Sequence, residues 1–238
     1  MNFCLRPSKT FQFDILENEL SKLTGETGID AASETMKNRK FFKTKSYYGL
    51  DIKLELLKNG LKKNDFNNTY GIWADMTKID SLPSNSIDVI VSTNTLYILS
   101  KENQIVALKS LCRIAAPKGH LILDCPTKDK ELLREMRENI KTYFKKIKIV
   151  YTGNFISRAY EKIFEKEGWL GSHPIASTKP FLLISWLISR LEYLTCHTSF
   201  VNSSALIICT DKKTDSPKNK FDTSQLKIID TNLFNMFS

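Results

Sequence analysis

Four short apolar runs between Tyr47 and Pro126, YYGLDI, YGIWAD, IDVIVST and HLILDCP, constrain this chain more than any other feature. Each has the length of a buried strand, is rich in β-branched or aromatic residues, and is parted from the next by helix-like or turn-like sequence. That alternation predicts βαβ units around a parallel sheet. Ligands of such sheets sit beyond the carboxyl ends of the strands, so Asp51 and Asp75, which close the first two runs, are expected to face a crevice.

The rest of the chain extends this pattern. Apolar spacing predicts a first helix over 12–23, then a short segment GIDAAS, and a helix over SETMKNRKFF that Ser33 could cap. KLELLKNGLKKN reads as an amphipathic helix, SLPSNS as a turn, and 101–116 as a helix that PKGH stops. A helix over about 129–144 and a strand KKIKIVYTG follow. Beyond Gly153, FISRAYEKIFEKEG and PFLLISWLISRLEYL read as helices around a loop GSHPIAST, before a final strand in FVNSSALIICTDKK. Residues 1–213 are read as a single domain with 154–195 as a helical insertion or lid. Residues 214–238, rich in Lys, Asp, Ser and Asn, are read as a mobile C-terminal tail whose closing IIDTNLFNMF docks only weakly.

Composition narrows the function classes. With 238 residues and 42% hydrophobic content the chain can bury a sizeable core. No run of about 20 apolar residues is present to span a bilayer, and the N-terminus lacks the apolar core of a signal peptide, so a cytoplasmic location is expected. Five widely spaced cysteines without a CxxC read as reduced core residues rather than metal ligands. The net charge of +9 invites a nucleic-acid partner, but only 7 of the 35 basic residues are Arg, the residue suited to bidentate phosphate recognition. The excess is greatest in 128–166, where 11 basic and 6 acidic residues interleave as on an exposed helix face.

The ordered set YGLDI, ADMTKIDSLPSNSIDVIVSTNTLYIL and ALKSLCRIAAPKGHLIL resembles the core of a class I S-adenosylmethionine-dependent methyltransferase of the type 11-like kind. Asp75, Leu82-Pro83 and Asp88 match the family's acid, Leu-Pro and strand-opening Asp. Arg113-Ile114, Pro117 and Gly119 match its helix end and Pro-Gly turn. The resemblance covers about 28–126 and continues to the last strand near 203–210. It implies an α/β fold, a Rossmann-like three-layer sandwich with a mostly parallel sheet and an antiparallel last strand, and S-adenosyl-L-methionine as cofactor.

The resemblance also implies a site. Asp30, Ala31, Ala32 and Ser33 align with the glycine-bearing first motif, which meets the methionine end of the cofactor. Asp51 and Ile52 align with the ribose acid, 21 positions after Asp30. Asp75 and Met76 align with the adenine contact, and Asn94 lies near the reacting end. Ala32 and Glu34 stand where the family carries glycine, and side chains there disfavour positive φ. Asp88 is expected to be structural, a strand-end Asp alone is often a turn former, and His120, His173, His197 and Tyr97 carry no assigned chemistry. No catalytic base and no metal cluster is assigned.

The expected function is methyl transfer from S-adenosyl-L-methionine to a small-molecule or glycan acceptor. The alternatives are an RNA methyltransferase or RNA-binding protein, and a non-catalytic methyltransferase-like interaction module. The run 180–194, apolar at 10 of 15 positions, is too short to span a membrane and reads as a lid, a dimer surface or a membrane-surface element.

Overall fold

A computed structural model describes residues 5–64, 67–164 and 178–230. The chain falls into two compact units. The smaller comprises Met1–Glu19, Cys125–Lys130 and Ile149–Leu206, and the larger Leu20–Asp124, Glu131–Lys148 and Ile207–Ser238. The sequence alone suggested one domain. The boundary passes through three strands, each of which has residues in both units.

The larger unit holds the predicted βαβ core. Strands β1 (Thr27–Ala31), β2 (Ser46–Asp51), β3 (Thr69–Trp73), β4 (Ile87–Ser92) and β5 (Ala115–Pro126) lie in the order β5-β4-β1-β2-β3, and every adjacent pair among them is parallel. The order reverses between β1 and β4, so their carboxyl ends flank the topological switch point. The near-continuous apolar character of β4 reflects burial on both faces, with Val89, Ile90 and Val91 all buried, and β1 beside it is buried throughout.

Helix α2 (Leu54–Lys63) turns Leu57, Gly60 and Leu61 inward at helical spacing and leaves Lys62 and Lys63 in solvent. Asn64 ends it, its side-chain amide donating to Gly60 O at 2.8 Å. Helix α3 (Lys101–Ile114) starts on Ser100, whose hydroxyl accepts from the Asn103 N–H, and buries Leu108, Leu111, Cys112 and Ile114. Helix α4 (Lys130–Tyr143) and strand β6 (Phe144–Asn154) follow as expected. The first helix, α1 (Pro7–Leu20), begins earlier than its apolar spacing suggested, with Pro7 at the position where a missing N–H costs nothing. Helix α3 ends two residues before its expected stop, and PKGH lies within β5, which runs from Ala115.

Strand β7 (Asn202–Lys212) lies between β6 and β5. Its start meets the end of β5, where the Thr127 N–H donates to Ser203 O, and its end meets the start of β5, where Lys212 Nζ donates to Ala115 O. It therefore runs antiparallel to β5, as expected of the last strand of the core.

Two expectations need correction. The predicted helix over Ser33–Phe42 is a series of turns with one 3-10 turn at Arg39–Phe41, because Ala32, Glu34 and Met36 adopt left-handed φ of 58°, 47° and 57° and a right-handed helix cannot pass through them. Secondly, within the stretch 214–238 read as a mobile tail, residues 214–230 make specific contacts, and 231–238, with most of IIDTNLFNMF, lie outside the described residues. Lys218 Nζ bonds Asp88 at 2.7 Å, the Asn219 N–H donates to Asn85 O, and Phe221 sits edge-on to Tyr48 at 4.8 Å. The short strand β8 (Ile228–Ile229) then pairs antiparallel with β3 as the eighth strand. Composition hides this, since the segment is held by a few specific partners rather than by bulk apolar burial.

In the smaller unit, the helices α5 (Phe155–Phe164), α6 (Lys179–Arg190) and α7 (Glu192–Thr195) fall within the stretch 154–195. Tyr160 OH donates to Phe181 O at 3.2 Å, and the Phe164 and Phe181 rings lie 5.4 Å apart. His173 and most of the GSHPIAST loop lie outside the described residues.

Candidate functional site

The carboxyl ends of β1, β2, β3 and β4 bring Asp30–Ser33, Asp51–Ile52, Asp75–Met76 and Asn94 to one edge of the sheet in the larger unit. Every cofactor position expected from the sequence is on this edge. Their environments differ.

Asp51 is buried, and each carboxylate oxygen has a backbone donor: Glu34 N–H reaches Oδ2 at 2.9 Å and Lys53 N–H reaches Oδ1 at 2.8 Å. A carboxylate offers about four acceptor positions, so two remain. One side chain thereby ties the loop after β1 to the turn after β2. The indole N–H of Trp73 donates to Ile52 O at 2.9 Å, and Ala74 N–H donates to Asp51 O, fixing the same turn from β3. Lys227 Nζ, just before β8, stands 4.8 Å over the Trp73 ring.

The loop after β1 keeps a glycine-type backbone without glycine. Ala32, Glu34 and Met36, every second residue, have left-handed φ, each costing on the order of 1–3 kcal/mol for an L side chain. Their side chains part ways. Met36 is fully buried and Glu34 points outward to an ion pair with Lys37 at 3.1 Å. A Cβ on Gly49 would stand 2.8 Å from Met36 Cε, and one on Gly60 would stand 2.9 Å from Met36 Cγ. The space that glycine would leave in the loop is thus provided beneath it, at Gly49 and Gly60. The sequence pointed to Ala32 and Glu34 but not to Met36; the alternation 32, 34, 36 was the available signal.

Asp30 lies under this loop rather than at its surface. It is 1% exposed, accepts from Tyr47 OH at 3.0 Å and from Asn38 Nδ2 at 3.3 Å, and burial raises its pKa from 3.8 to about 7. Arg39 extends the network, stacking over the Tyr47 ring and donating to Thr69 Oγ1 at 2.7 Å. The structure therefore gives Asp30 internal partners that anchor the loop.

Asp75 is half-buried and closes a local turn, its Oδ1 accepting from Thr77 N–H at 2.9 Å and Thr77 Oγ1 at 2.8 Å; Met76 beside it is buried. Asn94 has a left-handed φ of 61°, and its N–H donates to the buried Asp124 at 2.7 Å. Sequence reasoning passed over Asp124, although it closes the strand-like run HLILD as Asp51 closes YYGLD. At the end of β4 the Ser92 hydroxyl is fully buried without a hydrogen-bond partner. Asp88 lies at the opposite edge, accepting from the Glu26 and Thr27 amides. Of the other sequence candidates, Tyr97 is 43% exposed in a 3-10 turn, His197 is exposed, and His120 sits within β5 opposite Val89. Among the described residues no cluster of His, Cys, Asp and Glu has the arrangement of a metal site.

Comparison with known proteins agrees with this architecture. Among curated proteins, none matches the sequence. The N-methyltransferase NodS from Bradyrhizobium japonicum WM9, solved with S-adenosyl-L-homocysteine, is similar in fold with a TM-score of 0.55 at 14% identity, over 64% of this chain and 83% of that one. The [4+2]-cyclase SpnF gives 0.55 at 15% identity, over 85% and 81% of the two chains. Phosphoethanolamine N-methyltransferase 2 from Haemonchus contortus, solved with S-adenosyl-L-methionine, gives 0.56 at 14% identity, over 84% of this chain and 52% of that longer one. At these identities the likeness speaks for the fold. The family model described as a methyltransferase domain matches residues 24–168, more than half the chain and the whole of the β1–β5 core, so the chain belongs to the methyltransferase-domain family.

Proposed function

We propose that this protein binds S-adenosyl-L-methionine at the carboxyl edge of β1, β2 and β4 and transfers its methyl group to a small-molecule or glycan acceptor. The observation that carries this reading is the β1 loop, which holds three left-handed residues at alternate positions despite lacking glycine and is tied by Glu34 N–H to Asp51. Strain of that kind persists only where surrounding structure fixes it.

The residues present suit the cofactor chemically. Asp51 retains two acceptor positions for a pair of ribose hydroxyls, and Ser92 brings a buried hydroxyl with unmet hydrogen-bonding capacity to the switch point. Ile52 and Asp75–Met76 would border the adenine, and Ala31–Glu34 the methionine end. The cofactor supplies a methyl group activated by a sulfonium. The protein's part is to hold and orient: Asp51 and Trp73 fix the turn after β2, Asp124 holds the backbone at Asn94, and positioning of the acceptor supplies most of the acceleration.

A small-molecule or glycan acceptor is favoured over RNA by the use of arginine. Arg39 donates to Thr69 and Asn67, Arg113 to the carbonyls of Ile79 and Leu82, Arg158 pairs with Glu161, and Arg190 pairs with Asp14. Four of the 7 arginines thus have internal partners.

Calorimetric titration with S-adenosyl-L-methionine and S-adenosyl-L-homocysteine tests the reading. Saturable binding by the wild type, weakened at least about tenfold by Asp51→Ala, is expected for loss of a charged hydrogen-bonding group. Absence of heat and of thermal stabilisation with both ligands would overturn it, leaving a methyltransferase-like interaction module.

A further inference from the structure

The segment 214–230 forms a strap that crosses the larger unit from the start of β4 to the far side of β3. At the amino edge of the sheet Lys218 pairs with Asp88, and the Asn219 N–H and side-chain amide donate to Asn85 O and Ser84 O. The connection from β3 to β4, residues 74–86, forms turns rather than a helix. Tyr48 and Tyr70, stacked at 5.0 Å across β2 and β3, meet the Phe221 ring of the strap instead. Beyond them β8 covers β3, which would otherwise be the edge strand with its outer backbone groups unpaired.

The strap meets the candidate cofactor site at Trp73, the last residue of β3, which is engaged from two sides. Its N–H donates to Lys227 O at 3.1 Å and its ring lies 4.8 Å from the Lys227 ammonium, while its indole N–H donates to Ile52 O at 2.9 Å in the turn after Asp51. Ile228 and Ile229 pair with Ile72 and Gly71, and a Cβ on Gly71 would stand 3.5 Å from Ile229 Cβ and 3.6 Å from Leu57 Cβ on α2. The strap thus reaches the turn through Trp73 and the helix that follows the turn across Gly71.

We propose that Lys227 and Trp73 are positioning residues of the cofactor site, holding the Ile52 turn when the strap is docked, so that strap docking and cofactor binding reinforce each other. The inference rests on the reading above, in which Asp51 meets the ribose and Ile52 borders the adenine. Such coupling is reciprocal: the docked strap raises affinity for the cofactor, and the bound cofactor tightens the strap by the same factor. Lys227 is exposed, so its loss removes no core packing. Its charge acts in the opposite sense to its position. S-adenosyl-L-methionine carries a sulfonium, an ammonium and one carboxylate, so removing a nearby lysine would by charge alone strengthen binding. Weakened binding on loss of Lys227 therefore isolates the positioning role.

Calorimetric titration of the full chain with S-adenosyl-L-methionine, for the wild type, Lys227→Ala, Lys227→Arg and Trp73→Phe, tests the proposal together with hydrogen exchange of the wild type with and without the cofactor. Lys227→Ala is expected to bind about fourfold more weakly, and Trp73→Phe, which keeps a ring but loses the indole N–H, about tenfold more weakly. Lys227→Arg keeps a cation over the ring and should restore binding to within about twofold of the wild type. Exchange at residues 226–229 should slow when the cofactor is added. A role confined to stability would lower melting temperatures and leave these affinities and this exchange unchanged. A wild type that does not bind the cofactor would overturn the cofactor reading and this proposal with it. Wild-type binding with unchanged affinity in Lys227→Ala and Trp73→Phe, tighter binding by Lys227→Ala, or exchange at 226–229 that the cofactor does not alter would overturn the coupling alone.

Discussion

Helix α2 and the α6–α7 stretch carry equally clear two-faced sequences and are set in opposite senses. In α2 the leucines go in and the lysines out, and in α6–α7 the serines and Glu192 go in and the leucines out. Periodicity establishes that a helix has two faces, but the partners available decide which one is buried. For α2 the partner is the apolar side of the parallel sheet. For α6–α7 it is the backbone at Asn154, which a buried carboxylate satisfies. The same contrast recurs within a few residues of the β1 loop, where Met36 turns into the core and Glu34 turns out.

The largest expected effect separates the two helices. Leu61→Asp places an unpaired charge in the core under α2 and should cost about 4 kcal/mol or more, whereas Leu187→Asp on α6 should stay within about 0.5 kcal/mol. Urea denaturation of both variants checks this, and comparable losses would break the contrast.

Asp30 tests it by pH. Its folded pKa is raised from 3.8 to about 7 by burial, so the contribution of Asp30 to stability is fully present only where the unfolded chain also holds the proton, below about pH 4. As pH rises from about 4 to about 7 the unfolded state releases the proton first and stability falls, by up to a few kcal/mol. Asp30→Asn should remove that fall, as read from melting temperatures across the range. A variant with the wild-type slope would place the titrating group elsewhere.

The loop gives a smaller contrast. Met36→Gly relieves a left-handed backbone but removes a fully buried side chain packed over Gly49 and Gly60, for a net loss of about 2 kcal/mol. Ala32→Gly and Glu34→Gly relieve the same strain without a core loss and should change stability by less than about 1 kcal/mol. Thermal unfolding ranks the three, and a Met36→Gly protein as stable as the other two would contradict the buried role of Met36.

These contrasts show what the sequence disclosed. The strands were legible because parallel strands buried on both faces leave unbroken β-branched runs such as IDVIVS. The acids at their ends, Asp51 and Asp75, followed from that framing. The turns over Ser33–Phe42 were not legible, since residues with ordinary helix propensity are forced into left-handed φ by the close approach to Asp51. The strap over 214–230 escaped composition because its order rests on single contacts such as Lys218 with Asp88 and Lys227 over Trp73. Asp124 escaped because its bond to the Asn94 amide spans 30 residues. The inward turn of Glu192 depends on Asn154, at the end of β6.

The central claim, that the β1 loop and the strand ends around Asp51 bind S-adenosyl-L-methionine, is tested most directly by hydrogen exchange of the wild type with and without the cofactor. The account predicts slowed exchange at the amides of residues 32–36, 51–53, 75–77 and 93–95, with β6 unaffected. Exchange that does not change on cofactor addition, or protection confined to residues away from these strand ends, would contradict it.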